Sequence, residues 1–66
     1  MNSRELVDQV VKRRKALGLS QAELAEKADL SRNYISLIER GEAMNVSLKV
    51  IGQLALALGT TTTELL

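Results

Sequence analysis

The stretch QAELAEKADLSRNYISLIER, residues 21–40, decides the fold. Ser20 precedes it and Glu23 follows three residues later. This S-x-x-E spacing is a capping box, in which each side chain bonds the backbone amide of the other residue. A short helix is therefore predicted from Gln21. It ends at Asp29, a residue type that tolerates left-handed backbone geometry and suits a turn.

A second short helix follows the turn. Ser31 can cap it, and Gly41 ends it after about Arg40, because glycine adopts the left-handed conformation at little cost. Ala25 is small where the two helices would press together. The apolar residues expected to form their shared core are Ala28, Leu30, Ile35 and Ile38.

Outward from this pair, residues 3–17 predict a first helix, capped by Asn2 or Ser3 and ended by Gly18. Its apolar stripe recurs at helical spacing. The residues of that stripe are Leu6, Val7, Val10, Val11 and Leu17.

A fourth helix is predicted after the loop at residues 42–46, with Ser47 or Asn45 as its cap and Gly59 as its stop. Thr60 or Thr61 begins a final turn that ends in two leucines. The expected buried stripe of the fourth helix consists of Leu48, Ile51, Leu54, Ala55 and Leu58. Five helices in 66 residues predict an all-α compact five-helix bundle that forms a single domain, residues 1–66.

Composition favours the same fold class. The chain is rich in alanine and leucine, has Tyr34 as its one aromatic residue, and lacks cysteine and histidine. We therefore expect no metal site, no cofactor and no small-molecule ligand. Catalysis is not expected either, since the sequence lacks a phosphate-binding glycine loop and a convincing carboxylate pair. The apolar stretches are too short for a membrane span, and no secretory signal is visible.

The two short helices around the tight turn at residues 29–31 have the spacing of a helix-turn-helix at about residues 21–40. In that motif the second helix enters the major groove of DNA and the first crosses the backbone. The net charge of +1, from nine Lys/Arg and eight Asp/Glu, does not decide the matter. Phosphate contacts are local, so the placement of cations matters more than their sum.

The string LGLSQAELA at residues 17–25, with Ile35, Ile38-Glu39 and Gly41, resembles the Cro/C1-type (Xre) family. The ending LAxALG at residues 54–59 also resembles it. The family includes lambda-type phage repressors, restriction-modification controller proteins and many antitoxins. The resemblance covers nearly the whole chain and implies a lambda-repressor-like DNA-binding domain in the cytoplasm of a bacterial or phage-infected cell.

The helix at residues 32–40 is expected to contact DNA bases. Arg can donate two hydrogen bonds to guanine, and Asn can pair with adenine. By resemblance, Arg32, Asn33 and Ser36 match family positions that contact base edges. Leu37 has two readings, contact with a thymine methyl or packing as peripheral core.

Phosphate contacts are expected around this helix. By resemblance, Gln21 matches a position that binds a phosphate, and Ser20 beside it can act as a cap, a phosphate neighbour or both. Tyr34 either reaches a phosphate with its hydroxyl or packs beside the fourth helix. The candidates around the following loop are Arg40, Asn45, Ser47 and Lys49. Relatives carry more cations there than the EAMN of residues 42–45, which implies modest affinity per subunit and a gentler dependence on salt.

One cation in the cluster at residues 12–15 is assigned a structural role. By resemblance, Arg14 matches a position that forms an ion pair with the acid at Glu39. Lys12 and Arg13 are weaker phosphate candidates, because charge runs are usually solvated faces.

A core this small is marginal, so we expect a homodimer that binds a pseudo-palindromic operator in double-stranded DNA. Its interface is expected to use Leu65 and Leu66, together with exposed residues of the fourth helix. The other reading of the two leucines is a chain end that packs on its own core. The expected function is a transcriptional regulator of repressor or controller type. The alternative is a DNA-binding antitoxin that also binds a toxin protein.

Overall fold

The computed structural model describes residues 3–66 and contains five helices in that range. They are α1 (Ser3–Ala16), α2 (Gln21–Ala28), α3 (Arg32–Glu39), α4 (Leu48–Ala57) and α5 (Thr62–Leu65). Residues 3–66 contain no strand, and the all-α prediction is confirmed. Asn2, one of two predicted caps of α1, lies outside the described residues. None of the described helices has the length and apolar character needed to cross a bilayer.

Local side-chain chemistry sets the starts of the last four helices. Ser20, Ser31, Ser47 and Thr61 each accept a hydrogen bond from the backbone N–H three residues later. At Ser20 the capping box is complete, because Glu23 also accepts a bond from the Ser20 amide. The cap of α4 is therefore Ser47 and not Asn45. The cap of α5 is Thr61 and not Thr60.

The predicted turn residues have left-handed geometry. Asp29 ends α2 at a φ of 58°, and its amide donates to the carbonyls of the last turn of that helix. Gly41 has a φ of 72° just after α3, which forces the chain away from the helix axis. The segment between α2 and α3 is thus as short as the sequence predicts.

The core lies where α2 and α3 meet α1, α4 and α5. Its most enclosed side chains come from every helix, and these are Val10, Leu24, Ile35, Ile38, Ile51, Leu54 and Leu65. The pair α2–α3 is in close contact, α4 packs on α2, and α1 packs on α3. The helix-turn-helix is therefore held between the first and the last helices.

Three leucines depart from prediction. Leu17 is 54% exposed because α1 ends one residue before it, and Leu48 is 69% exposed at the first turn of α4. Leu65 departs in the opposite direction. Its side chain is fully buried in the core of its own chain, so the expectation of two exposed leucines is wrong for Leu65. Of the two leucines, only Leu66 is exposed, by 43%.

Candidate nucleic-acid interface

The exposed side of α3 presents the predicted base-contacting residues. Arg32 and Asn33 are exposed and Ser36 is half-buried, while Ile35 and Ile38 on the opposite side are buried. These three polar residues line one shallow cleft together with Gln21, the first residue of α2. The structure thus brings one predicted phosphate contact and three predicted base contacts to one surface.

The orientation of α3 is fixed by an ion pair with α1. Nε of Arg14 donates to Oε2 of Glu39 at 2.7 Å, and Nη2 donates to Oε1 at 2.9 Å. The Arg14 and Glu39 side chains are only 13% and 6% exposed. This bidentate arrangement is the strong form of an arginine–carboxylate contact. The ion pair implied by the family resemblance is therefore present and mostly buried.

Arg14 also makes a third contact that joins the helices. Its Nη1 donates to the carbonyl of Leu19 at 2.9 Å, in the turn that leads into α2. The hydrogen bond to Glu39 raises the pKa of Arg14 above its ordinary value, although burial acts in the opposite direction. The guanidinium therefore stays charged and links α1, the turn before α2, and α3.

Gln21 has a contact that the sequence did not reveal. Its Nε2 donates to Oε1 of Glu39 at 3.1 Å. A carboxamide has two N–H donors, and this bond uses one of them. Gln21 and Glu39 are 18 positions apart. No local spacing signals such a pair, and only the packing of α2 against α3 brings the two side chains together.

Two residues of α3 had alternative readings. Tyr34 is half-buried and packs against the core, and its backbone N–H donates to Ser31 Oγ at 3.0 Å. Leu37 is also half-buried. Partial burial leaves each side chain an exposed part at the surface of α3. A phosphate contact by Tyr34 and a thymine contact by Leu37 stay predictions.

Several predicted phosphate contacts already have partners within the chain. Ser20 and Ser47 use their hydroxyls as helix caps. Arg40 lies 3.5 Å from Glu42 in an exposed ion pair. An exposed pair of this kind is weak, so a phosphate can compete with the carboxylate for Arg40.

The loop from α3 to α4 presents the other two predicted phosphate contacts. Asn45 is exposed and has a φ of 54°, a left-handed conformation that asparagine tolerates. Lys49 is exposed in the first turn of α4. By contrast, Arg13, a weaker candidate, lies 3.4 Å from Glu64 and donates to Gln9. Arg13 thus joins α1 to α5.

A family model described as helix-turn-helix matches residues 10–65. No curated protein matches the sequence. Among solved structures, the restriction-modification controller protein C.AhdI from Aeromonas hydrophila is 40% identical, with a TM-score of 0.88. The match covers 94% of this chain and 92% of that protein. Similarity at this level over nearly the whole of both chains extends to the family as well as the fold.

The master regulator for biofilm formation SinR, solved in complex with DNA, is 32% identical, with a TM-score of 0.85. That match covers 91% of this chain and 95% of that one. A hydroxypropylphosphonic acid epoxidase from S. wedmorenis is 25% identical, with a TM-score of 0.84. The match covers 96% of this chain but only 33% of the enzyme, so the likeness is confined to one part of a larger protein. The chain belongs to the Cro/C1-type helix-turn-helix family of DNA-binding transcriptional regulators.

Proposed function

We propose that this protein binds a pseudo-palindromic operator as a homodimer, with α3 of each copy in the major groove. The observation that carries the proposal is the exposed polar edge of α3, held in place by the Arg14–Glu39 ion pair. A helix that contacts bases must keep its side chains in register with the base edges. A mostly buried bidentate contact supplies that rigidity.

Base recognition is assigned to three residues. Arg32 has the geometry to donate two hydrogen bonds to O6 and N7 of guanine, and Asn33 can pair with N6 and N7 of adenine. Both lie in the first turn of α3, the part of a recognition helix that meets bases. Ser36 follows one turn later and can bond either kind of base edge.

Backbone contacts flank these residues on both sides. Gln21 and Ser20 stand at the start of α2, where exposed backbone amides favour an anion. Arg40 and Lys49 bracket the loop on the far side of α3, with Asn45 and Ser47 between them. Such contacts place the protein on the duplex and carry no sequence information.

Two copies would present their α3 helices about 34–36 Å apart, one turn of B-DNA. A second copy also helps a chain whose own core is small. Leu66 is exposed and remains part of the proposed interface.

Regulation of transcription is favoured over the rival functions. Two of the similar proteins, the controller C.AhdI and SinR, are matched over nearly their whole length, whereas the epoxidase is matched over a third. We infer that the chain acts as a regulator and not as a catalyst. The antitoxin alternative has no comparable support among these neighbours.

The experiment is selection from a randomised duplex pool at two salt concentrations, with the wild type, Arg32→Ala and Thr63→Ala. We expect the wild type and Thr63→Ala, an exposed change in α5, to enrich the same palindromic site. Arg32→Ala should lose about 1–3 kcal/mol of discrimination at one base pair. If Arg32→Ala enriches the same site equally well, α3 does not recognise bases through Arg32.

A further inference from the structure

An acid lies beside one of the residues assigned to a phosphate. Nε of Arg40 is 3.5 Å from Oε2 of Glu42, and the two side chains are 55% and 57% exposed. Arg40 is the C-terminal cap of α3, and Glu42 follows two residues later in the loop to α4. A phosphate that binds Arg40 must therefore take the place of a carboxylate.

The backbone keeps Glu42 close to Arg40. Gly41, between the two residues, has a φ of 72° and turns the chain at the end of α3. The backbone N–H groups of Glu42 and Ala43 both donate to the carbonyl of Leu37, at 2.9 Å and 3.2 Å. Ala43 also packs against the core. The exposed carboxylate of Glu42 thus extends from a backbone that hydrogen bonds and packing hold at this end of α3.

Glu42 differs from the other acid at the end of α3. The carboxylate of Glu39 is only 6% exposed and accepts two hydrogen bonds from Arg14. Its charge is therefore balanced inside the protein, whereas the charge of Glu42 lies at the surface. Arg40 and Lys49 are the two cations assigned to phosphates around this loop, so Glu42 offsets half of their formal charge.

An arginine that is already paired contributes less to DNA binding than an unpaired one. A cation that neutralises a phosphate releases about 0.9 counterions from the duplex, and this release makes binding depend on salt. When Arg40 turns to a phosphate, Glu42 loses its partner and is left in the negative potential of the DNA. Its carboxylate then repels phosphates and gathers cations from solution. Both effects oppose the gain from the new contact.

We propose that Glu42 competes with DNA phosphates for Arg40 and thereby lowers the affinity of this protein for every duplex. The proposal rests on the proposed function, in which Arg40 contacts the DNA backbone, and adds a residue that opposes that contact. Neither Arg40 nor Glu42 is assigned to a base, so the preference for the operator over other sequences does not depend on this pair. Glu42 sets how tightly the protein binds DNA and how strongly salt weakens the complex.

Titrations at about 50 and 200 mM salt test the proposal, with a duplex that carries the site enriched by the wild type and with a scrambled duplex. Glu42→Gln should bind both more tightly than the wild type. Its gain should be about threefold larger per subunit at the lower salt concentration, as expected for one additional phosphate contact. Its thermal midpoint should match that of the wild type, because the ion pair is exposed. Glu26→Gln is the matched control, since it makes the same change of charge at an exposed acid of α2 and should bind as the wild type does.

A double-mutant cycle shows whether Glu42 acts through Arg40. In an Arg40→Gln background, Glu42→Gln should gain much less affinity than it gains in the wild type. An equal gain in both backgrounds would indicate general repulsion of DNA by the acid and would overturn the proposal. An unchanged affinity of Glu42→Gln, or an equal gain for Glu26→Gln, would overturn it as well.

Failure of the proposed function gives a different result. A wild type that enriches no site from the randomised pool would overturn base recognition by α3, while titrations of the scrambled duplex would still compare Glu42→Gln with the wild type. A wild type that binds no duplex at all would overturn both proposals.

Discussion

Nε2 of Gln21 and Nη2 of Arg14 donate to the same atom, Oε1 of Glu39, at 3.1 Å and 2.9 Å. The first residue of α2, the end of α1 and the end of α3 therefore meet at one mostly buried carboxylate. In the proposed complex Gln21 binds a phosphate while α3 lies in the groove. Glu39 holds the start of α2 and the end of α3 at a fixed distance before the protein binds DNA.

Loss of one partner in the Arg14–Glu39 pair should destabilise the fold strongly. Arg14→Met leaves a carboxylate that is 6% exposed without its cation, and we expect a loss of about 3 kcal/mol in the free energy of unfolding. Urea unfolding at neutral pH measures it. The matched control is Arg13→Met, whose ion pair with Glu64 is longer and more exposed, and which should cost less than about 1 kcal/mol. Equal losses in the two variants would contradict a structural role for Glu39.

Replacement of Gln21 should weaken binding to every duplex by a similar factor. Gln21→Ala removes a phosphate contact, and phosphates carry no sequence information, so the preferred site should not change. The salt dependence should be nearly unchanged as well, because glutamine is neutral and releases no counterion. Titrations of an operator and a scrambled duplex at two salt concentrations measure both effects.

Gln53→Ala is the control for that measurement. The Gln53 side chain donates to the carbonyl of Ala28 at 3.0 Å, and the residue belongs to none of the predicted contacts with DNA. We expect its affinity for both duplexes to match that of the wild type. A Gln21→Ala variant that changes its preferred base sequence would show that Gln21 does more than bind a phosphate.

The last two leucines should respond very differently to truncation. Leu65→Ala opens a cavity in the core and should cost about 3 kcal/mol of folding free energy. Leu66→Ala, at a residue that is 43% exposed, should cost much less in the monomer. Thermal unfolding at low protein concentration compares the two. A mild effect of Leu65→Ala would mean that α5 is not an integral part of the core.

The capping box of α2 should contribute to stability in a pH-dependent way. Hydrogen bonds from the Ser20 backbone amide and hydroxyl lower the pKa of Glu23 below its ordinary value. A carboxyl whose pKa is lower when folded adds stability above its unfolded pKa, which is about 4.3 for glutamate. That contribution is lost as the pH falls through the lower, folded value.

Unfolding of the wild type and Glu23→Gln from neutral pH down to about pH 3 measures this contribution. The stability of the wild type should fall more steeply with acid than that of Glu23→Gln. Glu26→Gln, a change at an exposed acid of the same helix, is the control and should retain the wild-type slope. Identical slopes in wild type and Glu23→Gln would contradict the assigned hydrogen bonds.

Local chemistry made much of the fold predictable. Helix caps and turn residues act on backbone groups within four residues of themselves, so their effects are visible in the sequence. Examples are the capping box of Ser20 and Glu23, the cap Ser31 and the turn residue Asp29. The periodic apolar residues likewise identify the inner side of each helix. These signals predicted five helices, the tight turn and the exposed edge of α3.

The sequence by itself determined where the helices begin and end to within a residue or two, because caps and turns depend on neighbours in the chain. Only the tertiary structure decided that Leu65 is buried while Leu48 is exposed, since both are leucines and the residue type does not distinguish them. It also decided the bond between Gln21 and Glu39, which joins two helices through space. Burial and long-range hydrogen bonds depend on which helices pack against each other. Helical periodicity identifies the inner side of a helix but not the helix that packs against it.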